Sequence, residues 1–197
     1  MGQKDTTVHL VRYFGKGLYY ADTAELKGGV VEFDGSKQKP GILALMLPGQ
    51  NLLEFVYNNE EIHIETKLPD VLRNAKIIKS EENKVFLKYM IFMQDQSKIG
   101  QAEGKIRNEL VKNSDEYKAS TAKMDQLTIE VEKYQLDLIK DHWDLFVSRV
   151  VKMSMDIKIP EAPVDENGVI TDSSFRFNHF RTHYWDNTDL NDERLVR

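Results

Sequence analysis

Ser80-Glu81-Glu82-Asn83-Lys84-Val85-Phe86-Leu87-Lys88-Tyr89-Met90-Ile91-Phe92-Met93 is the stretch at which the chain changes architecture. It opens with a hydroxyl and two acids, the side chains that cap the free N–H groups of a first helical turn and complement the positive end of the helix dipole. Behind them Val85, Phe86, Tyr89, Met90 and Met93 recur at steps of three and four, which lays an apolar stripe along a helix, set to rest on a sheet or on a second helix. No proline occurs between Pro69 and Pro160, whereas the residues before Pro69 are cut repeatedly by Gly, Pro and Asn.

Upstream, Thr7 to Phe14 is β-branched and aromatic and ends at Gly15-Lys16-Gly17. Leu18 to Ala24 follows, then Gly28-Gly29, glycines that supply the positive φ of tight turns. Val30 to Phe33, Ile42 to Leu47, Leu52 to Tyr57, Glu61 to Thr66 and Ala75 to Lys79 continue the series, each separated by turn residues. Strict alternation in Glu61-Ile62-His63-Ile64-Glu65 sets Ile62 and Ile64 inward and leaves Glu61, His63 and Glu65 on a wet face. About seven closely spaced strands predict an antiparallel sandwich.

Downstream, Lys112-Asn113-Ser114-Asp115 is the natural place for the helix to break and restart, which makes a helical hairpin. Gly100 and Gly104 weaken the first arm and read as a kink or flexible turn. In the second arm Met124, Leu127, Val131, Tyr134 and Leu138 fall at alternating steps of three and four, the seam of a short coiled coil that stops at Asp141. Two heptads favour packing of this seam on the first arm, with a homodimer as the alternative. Apolar character runs on through Leu145, Phe146, Val150 and Met153 to Pro160 and Pro163, which are expected to end the helix and begin a linker. The fold class is therefore α+β. An antiparallel β-sandwich spans 1–79, a long helical hairpin 80–159, and a linker with the irregular, aromatic-rich start of a further domain 160–197.

Composition narrows the function. The 197 residues carry a net charge of −5 with both signs well represented, so no basic field exists to hold nucleic acid. The apolar runs fall far short of the roughly 20 residues a membrane helix needs. There is no cysteine, hence no thiol chemistry in this polypeptide. The start Met1-Gly2-Gln3-Lys4-Asp5-Thr6 lacks the apolar core of a signal peptide, and its match to the N-myristoylation pattern is too short to carry weight.

Candidate sites are few. His179 and His183 lie four apart, on one face of a helix, with Asp186 or Asp189 as a third donor, but Phe180 stands where a zincin needs Glu. Packing or surface histidines are the commoner outcome, and no metal, cofactor or catalytic residue is assigned. Asp189 to Glu193 lacks the spacing of a calcium loop and reads as a solvated face or cap. Glu60, Glu61 and Glu65 read as exposed strand charge that discourages edge aggregation. Phe175, Phe177, Phe180, Tyr184 and Trp185 form an aromatic concentration that either docks on the hairpin or serves a further domain. His179, Phe180, His183, Tyr184 and Trp185 are the candidate interaction surface, and Met124, Leu127, Val131, Tyr134 and Leu138 the candidate dimer seam. The closing run Asp192-Glu193-Arg194-Leu195-Val196-Arg197 shows no turn or tail signature, which favours a chain cut from a longer one.

Val8-His9-Leu10, Tyr13-Phe14-Gly15, Tyr20-Ala21-Asp22-Thr23-Ala24 and Pro40-Gly41-Ile42 resemble the N-terminal domain of unknown function in thioredoxin-like proteins of Bacteroidota. Pro160-Glu161-Ala162-Pro163, Phe177 to Asn187 and Asp192-Glu193-Arg194-Leu195 resemble the start of a second uncharacterised region in the same proteins. The resemblance implies export to the periplasm or outer membrane, often as a lipoprotein. It also implies a following thioredoxin-fold domain similar to the TlpA and ResA disulfide reductases as partner. The Cys-x-x-Cys of that domain is absent, so no catalytic residue carries over. The chain also starts at what looks like the turn after the family's first strand, so an edge of the sandwich is expected to be open to another copy or to the missing strand. The expected role is a non-catalytic accessory region that positions, dimerises or supplies partner contacts. The alternative is a module binding a small molecule or envelope component.

Overall fold

A computed structural model describes residues 6–15 and 17–195; the Met1-Gly2 start considered for lipidation lies outside them. The class is α+β. Strands β1 (Thr6–Phe14), β2 (Gly17–Leu26), β3 (Gly41–Leu47) and β4 (Asn51–Tyr57) form one antiparallel sheet in the order β2-β1-β3-β4. β5 (His63–Glu65) and β6 (Lys76–Lys79) form a separate two-stranded ribbon. Helices α1 (Glu81–Glu109), α2 (Asp115–Asp141), α3 (Phe146–Met153) and α4 (Phe175–His183) follow. The chain forms two compact units, one ending at Lys133 and the other beginning at Tyr134, so the division falls inside α2.

In the first unit Leu10 and Val11, adjacent residues that point to opposite faces of β1, are 2% and 1% exposed, so the sheet is covered on both faces at its centre. One face gathers Leu10, Leu43 and Tyr57 with Phe33, Phe55 and Ile62 packed on them. α1 packs against β4. Burial on both sides explains why β3 reads as an unbroken apolar run where a half-buried strand would alternate. In the ribbon His63 and Glu65 are exposed as the alternation requires, and Glu61 pairs with Lys79.

Among the described residues six strands form where about seven were expected. Val30 to Phe33 is not a strand. Gly28 and Gly29, at φ 57° and 85°, let Lys27 and Val30 exchange main-chain hydrogen bonds and close a turn. Phe33 then drops onto the core while the Tyr57 hydroxyl donates to the Gly35 carbonyl at 2.7 Å. Side-chain burial takes the place of a ladder there.

α1 starts where the sequence indicates, with the Asn83 N–H donating to Ser80 Oγ at 3.0 Å. It ends before Asn113, whose φ of 67° turns the chain, and Ser114 Oγ accepts from the Tyr117 N–H to start α2. α1 runs unbroken through Gly100, so no turn forms there. A Cβ at Gly100 would lie 3.2 Å from Leu127 Cδ2, so the missing side chain is what lets α2 approach. Glu103 faces Lys123 at 3.8 Å, which fixes the two arms as antiparallel.

In the second unit α3 buries Phe146, Val147, Val150 and Val151. It stops at Met153, well before Pro160, and the Ser154 hydroxyl at its end donates to the Val151 carbonyl at 2.7 Å. Met155-Asp156-Ile157-Lys158-Ile159 then alternates half-buried and exposed residues, a period-two pattern incompatible with a continuing helix. The prolines therefore lie in an already extended chain. Asp192 corrects a second expectation: it is 8% exposed, neither a solvated acid nor part of a signature-free tail. Its carboxylate takes Arg149 at 2.7 Å and Arg194 at 2.6 Å, and its carbonyl accepts from the Leu195 N–H to make a turn.

Candidate functional site

The turn that leads into α4 is set by Asp172, which accepts from the N–H groups of Ser174 through its side chain and of Phe175 through its carbonyl. None of its residues is buried. A helix of nine residues is too short to persist in water on propensity alone, and α4 is held by ring contacts at i, i+4 spacing. Phe175 and His179 lie 6.0 Å apart between centroids, and His179 and His183 lie 4.2 Å apart. Phe180 meets Tyr184 edge-on at 5.3 Å, and Tyr184 meets Trp185 edge-on at 4.8 Å. Arg181 sits over the Phe177 ring at 5.9 Å. Just beyond the helix, Asn187 Nδ2 donates to the Met155 carbonyl at 3.0 Å, which ties this end to the extended segment.

The structure thus brings together all five residues of the predicted interaction surface, with Phe180, Tyr184 and Trp185 exposed and His179 and His183 half-buried. Phe177, Tyr184 and Trp185 are 65%, 50% and 57% exposed. His183 Nδ1 is bound to Asp186 Oδ2 at 2.6 Å, whereas Asp189 accepts from the Asn191 N–H and takes no part in the pair. Among the described residues no group of three or more His, Cys, Asp and Glu side chains is placed to hold a metal ion. No helix among them is long and apolar enough to cross a membrane.

Along the seam, Met124, Leu127, Val131 and Tyr134 are half-buried and Leu138 is buried. Leu127 is occupied within the chain by its approach to Gly100.

The head of α1 holds a constellation that sequence reading missed. Asn83 is 1% exposed and exchanges two hydrogen bonds with Val56 of β4, its Oδ1 accepting from the Val56 N–H and its Nδ2 donating to the Val56 carbonyl, each at 2.8 Å. Its second amide hydrogen goes to Ser80 Oγ at 2.8 Å, and the Ser80 hydroxyl donates to Glu60 at 2.6 Å. Ser80 then has its one donor and two acceptor sites filled, and Asn83 both of its donors. The only local signal is the helix cap itself, which says nothing about a strand 27 residues upstream.

Beside this network lies a cleft of about 540 Å³ lined by Leu52 and Glu54 of β4, Asp70, Val71 and Leu72 of the following loop, and Met90 and Gln94 of α1. The Tyr13 hydroxyl donates to Glu54. Burial, then the neighbouring carboxylate, raises the Tyr13 phenol far above its ordinary range, so it stays protonated. Arg73 bridges to Gln94 at 3.1 Å and to Asp95.

Residues 2–86 match a family model described as Domain of unknown function (DUF4369). The match takes in both sheets and the head of α1 with Ser80 and Asn83, while α2, α3 and α4 lie outside it. No curated protein and no solved structure matches the chain.

Proposed function

We propose that this chain is a non-catalytic accessory region of a thioredoxin-like envelope protein and supplies partner contacts, with α4 as the principal contact surface. The observation that carries the reading is a helix with no buried residue that, together with the two residues after it, displays Phe177, Phe180, Tyr184 and Trp185. Contiguous exposed aromatics of this kind mark protein contact sites, where rigid rings supply much area at low entropic cost. The thioredoxin-like partner rests on the sequence resemblance of the front segment and of the stretch containing α4.

The test is to add a separately produced thioredoxin-like domain, from a protein sharing this N-terminal region, to the Trp143→Phe chain. Trp185 is then the sole tryptophan. A saturable blue shift of its emission that Tyr184→Ala weakens is the expected result. Unchanged emission, or hydrolase or reductase turnover by this chain alone, sinks the reading.

A second reading, a small-molecule module, has the cleft beside Met90 in its favour, since its volume lies within the roughly 300–1,000 Å³ of ordinary ligand sites. A concentration-dependent rise in Tm with a fraction of envelope extract, lost on Met90→Trp, would support it.

A further inference from the structure

We infer that the cleft beside α1 receives an extended, lysine- or arginine-bearing peptide of a partner protein, added to the edge of β4. This deepens the partner-contact reading and rests on it.

The direction of the main chain along β4 decides the matter. Asn83 takes both the N–H and the C=O of Val56, so both groups point away from β3. Pairing of β3 with β4 runs without a register shift from Gly41 opposite Tyr57 to Leu47 opposite Asn51. In an unbroken antiparallel ladder alternate residues face the same way, so the main-chain groups of Glu54 and Leu52 also point out of the sheet. β4 is an edge of its sheet. Asn83 therefore supplies the first rung of a missing neighbour, and the next two rungs, at Glu54 and Leu52, open into the cleft.

Those rungs repeat every two residues, about 6.6–6.8 Å apart, and an extended polypeptide backbone presents donors and acceptors at the same repeat. The walls are suited to its side chains. Val71, Leu72 and Met90 are apolar, while Glu54 and Asp70 carry negative charge. The nearby cation, Arg73, is held by Asp95 and Gln94 and also lies 3.9 Å from Asp70, so one positive charge stands against three acids, Glu54, Asp70 and Asp95, and the wall stays negative. The acids therefore select a basic side chain on the incoming strand. The two edges of the sheet differ in the same sense. Along β2 a register shift interrupts the ladder opposite Leu10 and Val11, a feature that discourages pairing, whereas β4 is regular.

The probe is a fluorescein-labelled hexapeptide, Thr-Lys-Val-Lys-Val-Thr, followed by anisotropy. Leu52→Pro removes an outward N–H and leaves the bonds to β3, because edge strands accept proline on the open side. Leu52→Ala keeps that N–H and removes the side chain. Saturable binding by the native chain, weakened by about tenfold or more in L52P but much less in L52A, is expected. The same peptide with N-methylated amides should not bind, which serves where L52P folds poorly. In the free chain, the Leu52 and Glu54 amides should exchange faster than those of Leu53 and Phe55. No binding by the native chain, equal binding by L52P and L52A, undiminished binding of the N-methylated peptide, or the reverse exchange order overturns the inference. The Trp185 response to a thioredoxin-like domain is read at a different surface, so it can survive that failure or fail without it.

Discussion

The head of α1 and the far end of α4 invert the usual expectation about burial. Asn83, an amide, is 1% exposed, and Trp185, the largest apolar side chain of its segment, is 57% exposed. Asn83 is buried because each of its polar groups has a partner inside: Val56 on one side and Ser80 on the other. A satisfied polar group costs little to bury, and an unsatisfied one costs the whole of its desolvation. α4 has the opposite arrangement. Its rings meet one another pairwise, which steadies a short helix but leaves Phe177, Phe180, Tyr184 and Trp185 exposed. The first pattern specifies a fold, and the second leaves area available to a partner.

Breaking the first pattern should have the largest effect. Asn83→Ala strands the N–H and the C=O of a residue that is 0% exposed, at a cost of about 2–5 kcal/mol in denaturant unfolding. Asn83→Asp should be no better, because a second oxygen then faces the Val56 carbonyl. A loss below about 1 kcal/mol would mean that water enters and that this joint is not the dry node described.

Next in size is Asp192, the corresponding node of the second unit. Hydrogen bonds from Arg194, then from Arg149, hold its carboxyl well below the ordinary carboxylate range despite its burial. A depressed pKa contributes stability above the unfolded value, and that contribution disappears as pH falls through the folded one. Unfolding of the native chain should therefore lose stability below about pH 4, and Asp192→Asn should flatten that part of the profile while costing about 1–3 kcal/mol at neutral pH. Parallel profiles for the two proteins would dismiss the ion cluster as a source of stability.

Much of this was legible in the sequence, and the failures share a cause. The glycine turns set the ends of β1 and β2, Ser80 and Ser114 set the starts of α1 and α2, and alternation set His63 and Glu65 outward, because each signal acts over a few residues. Asn83 could not be read, since its partner is remote in sequence and three residues after a capping serine an amide looks solvated. Val30 to Phe33 has strand-like residues, yet the paired glycines before it turn the chain, and Phe33 is worth more in the core than in a ladder. Asp192 looked exposed among other acids until Arg149 came to it from α3. At α4 the spacing of His179 and His183 correctly placed them together. Whether the rings would be covered was not a local property at all.

Between the two patterns stand the glycines of α1. Gly104→Ala meets open space and should stabilise the chain by about 1 kcal/mol through helix propensity alone. Gly100→Ala has the same propensity gain but sets a methyl 3.2 Å from Leu127. It should gain less or lose stability, because α2 must give way. Equal gains at both positions, read from Tm, would mean that the contact with Leu127 yields freely and that the seam is not fixed on α1.

The smallest effect on stability is expected at α4, and that smallness is the point of the measurement. Tyr184→Ala and Trp185→Ala each remove a ring that is half exposed and meets other exposed rings, so unfolding should shift by about 0.5 kcal/mol, the low end of an aromatic pair. If α4 is a contact surface, the same substitutions should weaken association with a thioredoxin-like domain several-fold more than they weaken the fold, since a ring that is half exposed in the free chain gives up its remaining area only to a partner. A stability loss as large as that of Asn83→Ala would erase the contrast between the two sites, because it would show the rings already committed to the chain's own interior.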